Sequence, residues 1–361
     1  MKKILQIIPY SYHIHRWWLE KIAQTISDWL NKDAGYSCTN ISSDIANTNN
    51  KKNNTYTDTW FVPSFDLIYS FPVPKIWTKQ WRWLLKKIKE YKPDIIQTHT
   101  RFFLWSFLGW LLAKWLWCKR IHIEHWSWFV SGYSRYIRFV ARCFDWTIWW
   151  WIFRQCDTVV TISKIHKQFI QKFTSKEPIV IYNPVDYTPQ TRRKNEFTHI
   201  GFVWRLVSLK WVDVLIKALK QLEDKNRICS IVGEGDQENY LKQLTDKLWL
   251  SDRIHFVWSD DRVNRLHKFD IFVNPSHQEW LPTTVVEALI AGCVVVATNV
   301  GGTKEISSNE NLLLYKANNT KELEVKIIEA FSLLKNKRSL SFIKDKFSPE
   351  TAVQKYKTIY N

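Results

Sequence analysis

Two kinds of apolar run alternate along this chain. KILQIIP (3–9) is nearly continuous, as in a strand buried on both faces. Leu19, Ile22, Ala23, Ile26 and Leu30 then recur at helical spacing. Further strands are predicted at 94–98, 120–125, 157–162 and 178–182. The polar stretch at 43–58, SDIANTNNKKNNTYTD, reads as a loop with no capacity to form a core. After NPVD (183–186) and the polar linker YTPQTRRKNEF a second series opens. It predicts strands near 198–204, 227–232, 253–257, 270–273 and 293–297, and helices near 212–222, 236–248, 260–268, 283–291 and 320–334. The last segment, SPETAVQKYKTIY (348–360), has a capping-type start and a helical pattern.

Strand–helix alternation predicts an α/β chain of parallel sheets covered by helices. We expect two Rossmann-like, doubly wound domains, residues 1–186 and 187–345 with the boundary near 187–196, and a C-terminal helix within 346–361 packing back on the first. Ligands of such sheets sit at the carboxyl ends of the strands, so the site is expected in a cleft between the two. FFLWSFLGWLLAKWLWC (102–118) comes near the length of a membrane span, but Lys114 interrupts it; a core or interfacial helix is expected instead. MKKILQIIPY lacks a long apolar region and a small-residue cleavage site, and reads as a first buried strand rather than a signal peptide.

Composition changes this picture in two ways. The net charge of +18, mostly Lys spread along the chain, suits anionic membrane surfaces or phosphorylated substrates, or reflects a Lys-rich proteome. With no compact basic arm, zinc-finger spacing or RNA-binding aromatic motif, nucleic acid is not an expected partner. The six Cys (38, 118, 143, 156, 229 and 293) are scattered without C-x-x-C, mostly in apolar runs, which suggests buried thiols in a reducing compartment. The second anomaly is Trp 22 against Gly 9. Gly is about 2.5% of the chain where about 7% is usual, and the two types together make an ordinary glycine share with a few Trp added.

The most specific stretch is HQEWLPTTVVEALIAGCVVVATNVGGTKEI (277–306). Pro282 suits the first turn of a helix, where its missing N–H costs nothing. Thr283 and Thr284 then offer N–H groups and hydroxyls at a helix start, a good place for phosphate. Glu279 falls in the loop before that helix and Glu287 inside it, so one carboxylate can hold sugar hydroxyls and the other ribose hydroxyls.

Here the chain resembles glycosyltransferase family 4, retaining enzymes of GT-B fold, over nearly its whole length. That family reads E-G-x-P-x-x-x-x-E-A, a small-residue turn, a strand and Gly-Gly; this chain supplies Glu279, Pro282, Glu287, Ala288, Gly292, Gly301 and Gly302, with Trp280 at a family glycine. The family's G-R-L-x-x-x-K-G appears as Trp204, Arg205, Leu206, Lys210 and Trp211, and its Gly-Gly-x-E as Trp17, Trp18 and Glu20. The strand–Gly turn near 258 carries Trp258, whereas VGEGD keeps Gly233 and Gly235. Trp therefore recurs where a turn or a close approach to phosphate needs a residue without Cβ. UGA is read as Trp in some genetic codes and as Gly in others, and we expect many of these Trp to be glycines in the organism's own protein. The alternative is that the indoles are real, as sugar-stacking platforms or a membrane-interface belt; Trp128 and Trp151 are candidates for genuine Trp.

The resemblance implies a cytoplasmic glycosyltransferase of hexosyltransferase type at the inner membrane face. It would move a sugar from a nucleotide-diphosphate donor to a glycan or lipid-linked acceptor in cell-envelope polysaccharide or glycolipid synthesis. Glu279, His125, Arg205 and Lys210 are the implied catalytic set. Donor contacts are implied for Arg205, Lys210, Glu279, Leu281, Pro282, Thr283, Thr284, Glu287 and Gly233, with Trp17 and Trp18 as presumed Gly. Arg205 and Lys210 would grip the diphosphate as two cations on a dianion. His99 is a second strand-end histidine and a candidate for acceptor contact; Asn183 resembles the family's interdomain turn; Phe256 and Val257 are placed beside the base or in core packing, and Arg262 near the base or as a solvated helix charge. No metal is expected: there is no D-x-D at a strand end, H-E-x-x-H or Cys/His cluster, and Asp260–Asp261 reads as a helix cap. No cofactor beyond the sugar nucleotide is implied. A GT-B nucleotide-sugar epimerase and a non-catalytic, Trp-rich glycan- or membrane-binding protein remain open alternatives.

Overall fold

The computed structural model describes residues 1–10, 18–44, 59–66, 72–101, 104–126, 135–188, 198–222, 227–258, 263–306, 311–334 and 341–361. Of the sequence-stretch candidates, Trp17, Trp128, Asp260, Asp261 and Arg262 lie outside these residues, as does 45–58 of the polar stretch. The chain divides into two compact units, Met1–Pro184 with Pro349–Asn361, and Val185–Ser348. The divisions fall at 184/185 and 348/349 rather than at 186/187 and 345/346. Val185 N–H donates to the Phe347 carbonyl at 2.8 Å, tying both crossing segments into the second unit.

In the first unit the described strands are β1 (Lys2–Tyr10), β2 (Tyr36–Asp44), β3 (Thr59–Asp66), β4 (Pro72–Pro74), β5 (Ile95–His99), β6 (Lys119–Glu124), β7 (Thr158–Thr161) and β8 (Ile179–Val180). Their order is β4-β3-β2-β1-β5-β6-β7-β8, parallel except for β3–β4. β2 escapes the apolar pattern because Thr39, Asn40, Ser42 and Ser43 among its buried residues are polar. Gln6 stands in register between Asn40 and Gln97. Its Nε2 donates to Asn40 Oδ1 (2.8 Å), and its Oε1 accepts from Gln97 Nε2 (2.6 Å). Tyr360 O–H of the helix Pro349–Tyr360 donates to Gln97 Oε1 at 2.7 Å, so this buried polar row also seats the C-terminal helix.

Charge is buried at the carboxyl ends of β5 and β6. Arg101, 1% exposed, pairs with Glu124 (3.3 Å) and Asp145 (3.0 Å). Glu124 also accepts from the Trp126 N–H at 2.8 Å. Burial alone would raise the Glu124 carboxyl, but Arg101 and His122 hold it down at about 2. His99 and His125 stack 5.4 Å apart, with Nδ1 and Nε2 at 3.1 Å, and both are fully buried.

In the second unit the order is β11-β10-β9-β12-β13-β14, all parallel among the described residues. These are β9 (Thr198–Val203), β10 (Arg227–Val232), β11 (Ile254–Val257), β12 (Ile271–Asn274), β13 (Val294–Thr298) and β14 (Leu312–Tyr315). Phe202, Ile231, Val273 and Val296 pack from the sheet against Leu215, Leu219 and Ile327 of the covering helices. The predicted helix 260–268 is a 3-10 segment, Val263–Lys268, in its described part. Ser43 and Asp44 of the predicted loop belong to β2, and 102–118 becomes the helix Leu104–Leu116 with Trp105 and Trp110 buried. Among the described residues no helix is long and apolar enough to cross a membrane. All six Cys are free thiols, Cys143 exposed and the rest buried.

Helix ends expose a backbone conflict. At Gly292 (φ 81°) the helix Thr283–Ile290 closes with Cys293 N–H donating to the Ala288 carbonyl at 2.9 Å, a left-handed cap that glycine adopts freely. The same closure occurs at Trp117 (φ 58°), with Cys118 N–H on Ala113, and at Trp249 (φ 59°), with Leu250 N–H on Thr245. Both indoles project into solvent, 95% and 85% exposed, so no burial offsets the left-handed backbone. Trp117→Gly and Trp249→Gly should each raise the free energy of unfolding by about 1 kcal/mol in urea titrations. Trp105→Gly should lower it by about 3–5 kcal/mol, because that ring is buried and its Nε1 donates to Ser43 Oγ at 2.6 Å. Loss of stability on either cap substitution would show that the turn tolerates Cβ without strain.

The buried titratable groups set a pH profile. Burial pulls His125 and His166 down to about 3 and His99 well below 6.5. The unfolded chain therefore takes up these protons first, and stability falls as pH drops from about 6.5 toward 3. Glu20 acts in the opposite direction: burial raises it to about 8, so stability declines as pH rises from 4.5 through 8. Stability should peak at about pH 7, and Glu20→Gln should remove the decline between about pH 7 and 8 while leaving the acid one and the fall above about pH 9 that the buried thiols Cys118, Cys156 and Cys229 cause. An unchanged decline between about pH 7 and 8 in that variant contradicts the assignment.

Candidate active site

The second unit gathers its chemistry at the carboxyl ends of β9, β10, β12 and β13. β9 runs into Trp204 and Arg205, then the 3-10 turn Ser208–Lys210, then Trp211 and the helix Val212–Gln221. Trp211 has φ 45° and ψ 42°, left-handed for a residue with a large side chain, and its ring lies 4.5 Å from His277. β10 runs into Gly233, where φ is 152° and a Cβ would stand 1.8 Å from the Trp204 carbonyl oxygen. Leu206 N–H donates to the Glu234 carbonyl at 2.8 Å, locking this turn beside the one after β9.

β12 ends at Asn274, and the loop to Pro282 carries Glu279. Lys210 Nζ donates to Glu279 Oε1 at 2.6 Å, with both side chains 12% exposed. Asn274 Nδ2 donates to the same oxygen at 3.2 Å. Ser276 O–H donates to Asn274 Oδ1 (2.7 Å), and Thr298 O–H donates to the Ser276 carbonyl (2.7 Å). His277 N–H donates to the Leu209 carbonyl at 2.9 Å, joining the Glu279 loop to the Lys210 turn. At Gly301 a Cβ would lie 1.6 Å from the Glu279 carbonyl oxygen, and Gly302 N–H donates to the Trp280 carbonyl at 2.9 Å.

The helix Thr283–Ile290 starts where the pattern placed it, but with Pro282 outside its first turn. Pro282 has φ −71° and ψ 98°, an extended N-cap rather than a first-turn residue, and its carbonyl accepts from Val285 N–H at 3.1 Å. Its side chain makes no cap bond, so the N–H groups of Thr283 and Thr284 point out of the positive end of the helix. Leu281 is buried beside them, and Glu287, 6% exposed, lies one turn further in.

Structure thus joins Lys210 to Glu279 and ties the Gly301 turn to the Glu279 loop. Arg205 is exposed beside Trp204, whose ring lies 5.1 Å from Lys210 Nζ. His125 belongs to the buried stack with His99 in the first unit, and Asn183 is buried there too. Trp18 opens the helix Trp18–Asn31. Phe256 is half-buried, and Trp258 is exposed with Nε1 donating to Glu234 Oε2 at 3.1 Å. Asn274 and Ser276 belong to the Asn-Pro-Ser step that precedes Glu279 in the motif, but the sequence assigned them no role, and Thr298 was not singled out; polar residues closing two apolar strands were the available signal. Among the described residues no three His, Cys, Asp or Glu side chains converge as a metal site.

Comparison with known proteins agrees with this architecture. Residues 49–188 match the model of Glycosyltransferase Family 4, and 186–344 that of Glycosyl transferases group 1. The Methanocaldococcus jannaschii glycosyltransferase MJ1069 is 30% identical over 392 residues, spanning 100% of this chain and 99% of the relative. The Escherichia coli O-antigen biosynthesis glycosyltransferase WbnH is 27% identical over 208 residues, 56% of this chain and 59% of the relative. The crystal structure of Anabaena Alr3699/HepE in complex with UDP-glucose superimposes with a TM-score of 0.73 at 17% identity, covering 99% of each chain. The expected fold is borne out, and the chain belongs to the GT-B glycosyltransferases of the family 4/group 1 type.

Proposed function

We propose that this glycosyltransferase moves a sugar, with retention of configuration and without a metal, from a nucleotide-diphosphate donor to a glycan or lipid-linked acceptor. The acceptor would be a cell-envelope polysaccharide or glycolipid precursor at the inner membrane face. The observation that carries the reading is the Lys210–Glu279–Asn274 cluster held at the strand ends by the Gly301 contact. Complexes of HepE with UDP-glucose and the O-antigen role of WbnH support the donor class and the pathway type.

In this reading Arg205, Lys210 and the N–H groups of Thr283 and Thr284 neutralise charge that develops on the leaving diphosphate. Glu279 orients the donor sugar and Glu287 the ribose; neither is a nucleophile. The acceptor hydroxyl oxygen bonds to the anomeric carbon on the face the diphosphate leaves. The anomeric C–O bond breaks with its electron pair on the diphosphate, which takes the hydroxyl proton. Gly233 completes the site as a positioning residue, with Leu281 and Pro282 shaping its wall; His125, of the first unit, is assigned to catalysis on the resemblance alone.

We also propose that Trp17, Trp18, Trp204, Trp211 and Trp280 are glycines in the organism's own protein, through UGA read as Gly. Three left-handed backbone positions carrying Trp, at 117, 211 and 249, support this independently of the family. UGG codons at 17, 18, 204, 211 and 280 would overturn it.

Lys210→Ala and Glu287→Ala should each lower kcat/KM for donor hydrolysis or transfer by about 100-fold or more, assayed in a chain carrying Gly at 17, 18, 204, 211 and 280. Wild-type rates in both would remove the donor site. NMR of the first-formed product should show the donor's anomeric configuration, and inversion would refute the stereochemical assignment.

A further inference from the structure

The helix Arg135–Phe144 is unlike the helices around it. Its sequence, RYIRFVARCF, places Tyr136, Phe139, Val140 and Phe144 along one face and Arg135, Arg138 and Arg142 along another. The apolar face is turned to solvent: Tyr136 is 76% exposed, Phe139 66%, Val140 47% and Phe144 37%. Clustered exposure of this kind marks an interaction surface.

Charge selects the partner. Within 135–155 the one acidic residue is Asp145, which is buried and paired with Arg101. A second copy of the chain would bring another +18 of charge against the three arginines. A soluble polyanion would meet the arginine face and leave the aromatic face in water. An anionic bilayer matches both faces, with rings entering the headgroup boundary and guanidinium groups lying beside phosphates. None of the named residues is Trp, so the surface stands whichever way the tryptophan codons are read.

We propose that the helix Arg135–Phe144 docks this protein on anionic phospholipid membranes, lying in the surface plane. The contact goes beyond the transfer reaction: vesicle binding is measured without donor or acceptor, so either reading can fail alone. The test is co-sedimentation of the full chain with vesicles of phosphatidylcholine, or of phosphatidylcholine mixed with phosphatidylglycerol, at low and raised salt. Binding is expected only with phosphatidylglycerol and should weaken with salt. Phe139→Asp and the triple variant R135E/R138E/R142E should each weaken it by about tenfold or more, with circular dichroism and unfolding midpoint unchanged. Phe139→Ser provides a milder version should the charged substitution disturb folding. The proposal is overturned if the parent chain does not sediment with phosphatidylglycerol vesicles, or if both variants bind as the parent does. It is equally overturned by a concentration-dependent dimer that Phe139→Asp abolishes, since a second copy would then own the face.

Discussion

Backbone meets backbone at Gly301, and the site of the second unit depends on that approach. Even one methyl group there would stand 1.6 Å from the Glu279 carbonyl, so the loop after β12 can close onto the end of β13 only across a residue without Cβ. Closure brings Glu279 to Lys210 and lets Thr298 and Ser276 tie the loop to the sheet. Gly233 repeats the arrangement under the Trp204 carbonyl. Rigid positioning of a carboxylate and an ammonium here is therefore a steric consequence of two glycines before it is an electrostatic one.

The same steric logic separates the tryptophans. Trp105 and Trp149 are buried in the first unit, where an indole fills volume that a glycine would leave empty. Trp117 and Trp249 place the indole in water on a left-handed backbone, and Trp211 starts a helix from that conformation. Burial and φ sort the two groups without reference to any relative.

Strands β9, β10, β12 and β13 were legible because their residues are apolar on both faces. β2 was not, since Asn40, Ser42 and Ser43 are as buried as any valine, and the bonds from Gln6 to Asn40 and from Trp105 to Ser43 that make two of these burials tolerable join residues far apart in sequence. The helix Arg135–Phe144 was overlooked although its period is helical, because its apolar face does not extend the core that organised the prediction. In the site, Lys210 and Glu279 were readable from motif. The support from Asn274 was not, because it exists only once the Gly301 contact has folded the loop back.

Under the transfer reading, Lys210 has two anions to serve. Next to Glu279 at 2.6 Å and little exposed, its ammonium is already neutralised. A diphosphate arriving at Lys210 would face the Glu279 carboxylate as a like charge, costing affinity unless the carboxylate gained other donors. Asn274 supplies one in place, and the hydroxyls of a bound sugar are donors of the same kind. Lys210 is then released toward phosphate as Glu279 takes up sugar. A ligand carrying phosphate without sugar leaves Glu279 with only Asn274, so the pair favours a sugar nucleotide over the bare nucleotide by the worth of the hydroxyl–carboxylate bonds, on the order of 1.5–3 kcal/mol each.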